Sequence, residues 1–305
     1  MLSRRHFLAR SLAVAGTASL LPNVLAAAAE PPVRNGKSYM KLSLAAYSFN
    51  KLLPKNWTAE SAKHAKMTLD GFVDYCASLD LAGTELTSYY FPKDVTPEFL
   101  TSLKERTFRL GLDISGTAIG NDFCVVDPEK RAQQLASCRQ WIDHAAFLGA
   151  PVIRIFAGTV PKGDSEDAAR ERCVAGINES LDYAAKKGVI LALENHGGIT
   201  ATPAQLLAIV KGVKSSPWFG VNYDSGNFRS DDPYADLEQI APYAVNAQIK
   251  VAVTVKGQKQ ASDLKRMVDI LKQAHYRGYL VLEYEEADPH GEIPGYLQKL
   301  RELIA

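Results

Sequence analysis

The chain has 305 residues, 47% hydrophobic and 23% charged, with four cysteines and a formal net charge of +1. These values exclude a collagen-like, disulfide-framework or low-complexity chain and suit a globular protein with a sizeable core. A near-neutral charge offers no electrostatic footprint for nucleic acid or for an anionic membrane surface, so neither is expected as a partner.

Residues 1–29 read as an export signal. Arg4 and Arg5 precede Phe7 and Leu8, an apolar stretch runs from Leu12 to Leu21, and small residues at Ala26 to Ala29 suit signal peptidase. "SRRHFL" matches the twin-arginine pattern, which places the mature protein in the periplasm or otherwise outside the cytoplasm. A membrane anchor is disfavoured because Gly16, Thr17, Ser19 and Pro22 interrupt the apolar stretch, so no stable insertion is expected after cleavage. Loss of Arg4, Arg5 and Arg10 leaves about 32 basic residues against 34 acidic ones. Residues 30–40, containing "PPVRNGK", read as a linker.

From residue 41 to 305, eight apolar, β-favouring runs follow: "KLSLAAYSF", "AGTELTSYY", "LDISGTAI", "PVIRIFAG", "VILALEN", "WFGVNYDSG", "AVNAQIKV" and "YLVLEYE". They recur at about 34 residues, room for one strand, one helix and two loops per unit. Thr96-Pro97, Asp127-Pro128 and Thr202-Pro203 each place a capping side chain before a first-turn proline, and Gly111, Gly149 and Gly188 fall where helices should stop. The pattern predicts a single-domain α/β fold, a (β/α)8 TIM barrel. A doubly wound sheet would carry a glycine-rich phosphate turn after its first strand, and "AAYSFNKLLPKNW" has none. The four cysteines, Cys76, Cys124, Cys138 and Cys173, show no metal-site spacing.

Barrel sites are built at the C-terminal ends of the strands. There Glu194 ends the fifth run, Asp224 the sixth and Glu283 the eighth, while Gln248 lies in the seventh. Three carboxylates converging on one rim repel one another unless a cation lies between them. With the Gln248 carboxamide they form an all-oxygen set suited to one divalent ion, Mn2+ ahead of Mg2+ or Co2+. His196 follows Glu194 closely, and Lys250 alternates with Gln248 and so faces the same side. Glu85 ends the second run and is expected on the pocket wall. Tyr47, Tyr89, Tyr90 and Phe123 fall at predicted strand ends or in loops and are candidate flat faces for a ligand, whereas Glu285, Glu286 and Asp288 read as a solvated acidic loop.

The order Glu194, Asp224, Gln248, Glu283 resembles the sugar isomerase and epimerase superfamily of xylose isomerase-like TIM barrels, which includes the AP endonuclease family 2 group. The resemblance covers roughly residues 40–305. It implies that these four residues hold the metal and that Glu194 and Glu283 double as acid and base, moving a proton beside a carbonyl while the metal polarises the oxygens. His196, Lys250, Asn227, Glu85 and Tyr47 are then the expected substrate-binding residues. Gln248 stands where the family commonly has histidine, Asn227 where its epimerases often have a substrate-binding histidine, and "VAVTVKGQK" lacks the arginine that often follows the seventh strand.

The expected function is an exported, metal-dependent isomerase or epimerase of a non-phosphorylated sugar or keto-sugar, since no basic phosphate clamp is visible. Two alternatives stand beside it: a keto-glycoside lyase, in which the same base initiates β-elimination, and a non-catalytic sugar-binding barrel. An endonuclease IV-like nuclease is disfavoured, because His64, His144, His196, His275 and His290 are too few and too scattered for a three-zinc site. A homo-oligomer is compatible with the sequence.

Overall fold

The computed structural model describes residues 28–305. The expected export signal lies outside these residues except for Ala28 and Ala29. Ala28 forms an antiparallel bridge with Lys214, and the Ala29 amide donates to the Val213 carbonyl at 3.1 Å.

Eight of the strands among the described residues form the barrel: β1 (Tyr39–Ala45), β2 (Gly83–Thr87), β3 (Asp113–Ala118), β4 (Val152–Ile155), β5 (Ile190–Glu194), β6 (Phe219–Asp224), β7 (Ala244–Lys250) and β8 (Arg277–Glu283). They close into one parallel barrel in which β1 pairs with both β2 and β8. Each strand leads to a helix: α1 (Leu69–Ser78), α2 (Pro97–Arg109), α3 (Pro128–Leu148), α4 (Glu166–Lys187), α5 (Pro203–Gly212), α6 (Pro233–Ile240), α7 (Leu264–Gln273) and α8 (Pro289–Ile304). The expected (β/α)8 barrel is the observed fold.

The local signals act as expected. Thr96, Asp127 and Thr202 accept the amides of Phe99, Lys130 and Gln205, and the prolines that follow them begin α2, α3 and α5. Gly149 and Gly188 take left-handed conformations, with φ of 78° and 71°, that end α3 and α4. All four cysteines are free and buried.

The expected linker is shorter than residues 30–40. Tyr39 and Met40 already belong to β1, because Tyr39 pairs in register with Arg277 and Met40 with Gly278. Arg34 is also fixed, donating from Nη1 to the carbonyls of Pro242 at 3.2 Å and Ala274 at 3.0 Å.

One element was not expected. After β7 the chain forms a hairpin, Ala252–Val255 and Gln258–Ala261, which joins the short strand Arg229–Ser230 in a separate three-stranded sheet. This sheet walls one side of the C-terminal rim. Among the described residues no helix is long and apolar enough to cross a membrane.

Side chains alternate along each strand. Leu191, Leu193, Val221, Tyr223, Ile249, Leu280 and Leu282 are fully buried and belong to the hydrophobic core. The alternate positions face the barrel axis and carry a polar layer that includes Glu85, Asn222, Asn246 and Gln248, all buried.

Candidate active site

The stagger of a closed barrel sets the depth of the rim residues. Glu194 on β5 is level with Asn222 on β6, Asp224 with Gln248 on β7, and Lys250 with Glu283 on β8. Glu194, Asp224, Lys250 and Glu283 therefore meet near one another at the mouth, with Gln248 beside Asp224 and two residues before Lys250 on β7.

Glu194 is buried and held from three sides. Arg154 Nε on β4 stands 2.8 Å from its Oε2, Asn222 donates to Oε2 at 3.2 Å, and Asn227 donates to Oε1 at 2.9 Å. The Arg154 guanidinium also stacks 3.9 Å from the centroid of the Phe156 ring and donates to the Ile119 carbonyl. Burial lifts Glu194 to a pKa of about 7, Arg154 opposing the rise and Glu283 adding to it.

The segment "ENHGG" after β5 assigns each residue a separate task. The Asn195 side chain donates to the Asp224 carbonyl and accepts the Asp224 amide, both at 2.9 Å, clamping the end of β5 to the end of β6. His196 packs on Phe156 with ring centroids 4.1 Å apart, and its Nε2 lies 3.9 Å from Glu194. Partial desolvation of a ring that is still half exposed, with Arg154 and Lys250, lowers its pKa to about 4. Gly198 has φ of +52°, and a Cβ there would stand 2.2 Å from the Gly158 carbonyl oxygen.

Across the mouth, the Lys250 ammonium lies 3.2 Å from Glu283, 3.4 Å from Asp224 and 2.6 Å from Glu285. It also donates to Asn227 at 3.3 Å, so Glu283, Lys250, Asn227 and Glu194 form one continuous polar chain. Burial raises Asp224 to about 7 and Glu283 to about 8, with Lys250 restraining both. Burial disfavours the Lys250 ammonium itself, but the surrounding carboxylates outweigh it and keep the lysine charged. A cavity of about 220 Å3 opens here, lined by Asn227, Arg229, Lys250, Glu283 and Glu285 together with the hairpin.

Several expectations need correction. Glu85 is not on the pocket wall. It is fully buried, and its carboxylate accepts from Gln248 Nε2 at 2.6 Å and Asn246 Nδ2 at 3.0 Å. β2 continues to Thr87, which leaves Glu85 two residues below the rim. Tyr90 and Phe123 are buried and offer no open ring face. Tyr47 does stand near the mouth, half-buried in the turn after β1 and edge-on to Tyr89 at 6.4 Å. The acidic loop after β8 is not simply solvated: Glu285 pairs with Lys250, Glu286 with Lys259, and Asp288 caps α8 by accepting the Gly291 amide. Arg154 and Asn222, not singled out from the sequence, are integral to the site. Their signal was strand alternation: Asn222 shares a face with Asp224, and Arg154 is the lone charge in "VIRI".

The donor set suits a hard divalent cation: three carboxylates and an amide oxygen, with Asp224 Oδ2 buried and lacking a hydrogen-bond donor. Its present arrangement is closed. Gln248 Oε1 accepts from Asn222 at 2.7 Å, Lys250 stands between Asp224 and Glu283, and among the described residues no three His, Cys, Asp or Glu side chains are grouped to hold a metal.

A parallel barrel whose C-terminal rim gathers buried carboxylates around a small polar cavity defines a class of (β/α)8 protein built for small polar ligands. The sequence matches the xylose isomerase-like TIM barrel family over residues 73–303, and the chain belongs to that family. It is 26% identical over 177 residues to the L-ribulose-5-phosphate 3-epimerase UlaE of Escherichia coli K12, a match covering 55% of this chain and 62% of that relative. The chain thus spans about three fifths of the length of the curated relatives it matches. Among solved structures, the D-psicose 3-epimerase of Clostridium cellulolyticum H10 superposes with a TM-score of 0.68 at 15% identity, covering 87% of this chain and 99% of that one. The 3-keto-D-glucoside 4-epimerase YcjR of E. coli gives 0.66 at 17% identity, covering 86% and 99%. At these identities the likeness shows the fold.

Proposed function

We propose that the protein is a sugar isomerase or epimerase that moves a proton at the carbon beside a carbonyl, with Glu194 and Glu283 as its two proton-transfer groups. The polar chain from Glu283 through Lys250 and Asn227 to Glu194 carries this reading, because it links two buried carboxylates on non-adjacent strands, Glu283 on the cavity wall and Glu194 directly behind Asn227 of that wall. One carboxylate removes the proton and the other returns it at the opposite face or neighbouring atom. Asn227 and His196 orient the sugar oxygens beside Glu194, Lys250 offsets negative charge developing on the substrate oxygen, and Tyr47 borders the ring. The sugar-epimerase names of the relatives support the substrate class.

Glu194, Asp224, Gln248 and Glu283 would hold one divalent ion, Mn2+ by preference, which when bound supplies polarisation of the substrate's adjacent oxygens. The cavity contains Arg229, Lys250 and Lys259, yet Lys250 and Lys259 are paired to Glu285 and Glu286, which favours a non-phosphorylated sugar or keto-sugar.

The test is solvent deuterium incorporation into ketoses and keto-glycosides, with metal content measured in parallel for wild type, Glu194→Ala, Asp224→Ala and Gln248→Ala. Exchange at one carbon, lost in Glu283→Gln while the sugar still binds, is expected. An unsaturated product instead would mark elimination and a lyase; binding without exchange, equal in wild type and Glu283→Gln, would mark a sugar-binding barrel. For residues 1–29, export by the twin-arginine route is part of the proposal, and Arg4→Lys with Arg5→Lys should leave the protein in the cytoplasmic fraction.

A further inference from the structure

Besides its hydrogen bond to Asn227, Lys250 makes one close contact with a carboxylate and two longer ones. The close one, 2.6 Å, is to Glu285, which is not among the four proposed metal ligands, whereas Glu283 and Asp224 at 3.2 and 3.4 Å are. The lysine side chain is 14% exposed and that of Glu285 is 39% exposed, so the pair runs from the buried rim toward the open side of the cavity. Asp224 Oδ2, facing Lys250, has no hydrogen bond. Gly226 lies against the stem, and a Cβ at that position would stand 2.8 Å from Lys250 Cδ, so only a glycine there admits the lysine to the rim. Glu286 is occupied by Lys259 at 2.5 Å, leaving Glu285 to Lys250.

We infer that Lys250 is a displaceable internal counter-ion, which neutralises Asp224 and Glu283 in the metal-free protein and withdraws onto Glu285 when a divalent cation enters. The inference rests on the metal-binding reading of the rim. Without a cation, Asp224 and Glu283 would confront each other buried and uncompensated. With both cations present on the same two carboxylates, ammonium and metal would repel at contact distance in a poorly screened site. The four-carbon stem of lysine reconciles the two states, since its head can pivot about the contact it already makes with Glu285. Glu285 then helps metal binding without touching the metal.

The experiment is calorimetric titration of Mn2+ into the chelator-treated full chain, for wild type, Lys250→Met, Glu285→Gln and the double variant. Lys250→Met is expected to tighten Mn2+ binding by about tenfold or more, because it removes the competing charge. Glu285→Gln should weaken it severalfold in wild type and have no effect in the Lys250→Met background, a coupling that the double-mutant cycle isolates. Unchanged or weaker binding in Lys250→Met, or an equal Glu285→Gln effect in both backgrounds, overturns the inference while leaving a metal enzyme in place. Failure of both wild type and Lys250→Met to bind Mn2+ overturns the inference and the metal reading together. Should Lys250→Met fold poorly, acylation of the wild-type lysines followed by mass spectrometry serves as the check. Lys250 should be labelled faster with Mn2+ present, and an unchanged rate overturns the inference.

Discussion

Arg154 shows how a single side chain can set the charge balance of the rim. Its guanidinium is buried against Glu194 and Phe156, so removing it leaves a carboxylate inside the barrel without its cation. Arg154→Met should cost about 3 to 5 kcal/mol, the range for breaking a buried pair, read as a fall in denaturant midpoint at unchanged slope. Arg154→Lys should lose less stability but also the ring stack. The signal of Arg154, the lone charge in "VIRI", marks an unusual strand residue but not its partner, because only the pairing of β4 with β5 in the closed barrel brings it to Glu194. Gln248 and Lys250 were legible, because alternation along one strand suffices to put both on one face. Glu85 was read at the right strand and the wrong depth, since the end of an apolar run marks the rim only to within a residue or two.

At the level of elements, the strands and capped helices could be read because their signals are local: a hydroxyl or carboxylate before a proline, or a glycine where a helix stops. The hairpin at the rim was missed, although "TVKGQ" carries a two-residue turn signal. Its central residues, Lys256 and Gly257, both have positive φ, 50° and 76°, and lysine is a poor occupant of that region. Lys256→Asn should stabilise the hairpin by about 0.5 to 1 kcal/mol, visible as slower amide exchange in 252–261. The loop after β5 makes the opposite case. Gly198→Ala sets a Cβ against the fixed Gly158 backbone, so it should cost at least about 2 kcal/mol or displace the loop, and sugar binding should fall with His196 out of place.

The barrel as a whole is closed where the first strand meets the last. Near the N-terminal end of that seam, Asp113 on β3 accepts from Lys41 on β1 at 2.8 Å and from the Tyr279 hydroxyl on β8. The Lys41 hydrogen bond, with that of Tyr279, holds the Asp113 carboxyl below its usual range. A depressed carboxylate contributes stability above its unfolded pKa of about 3.9 and loses it as pH falls through the folded value. Wild type should therefore melt above Asp113→Asn at pH 7, with the difference shrinking as pH falls below the unfolded value of about 3.9. The effect is small, because the Asp113 side chain is largely exposed.

The polar layer inside the barrel has a consequence for how such a site could change over time. Glu85 accepts from Gln248 Nε2 and so decides which end of that amide turns toward Asn222. A histidine introduced at 248 would have to present a ring N–H to the same carboxylate, and a glutamine at 85 would offer Gln248 a donor and favour turning its amide over. Positions 85 and 248, 163 residues apart in the chain, are thus bound in one epistatic unit. A path between the glutamine and histidine forms of this barrel therefore stays open only while residue 85 remains an acceptor.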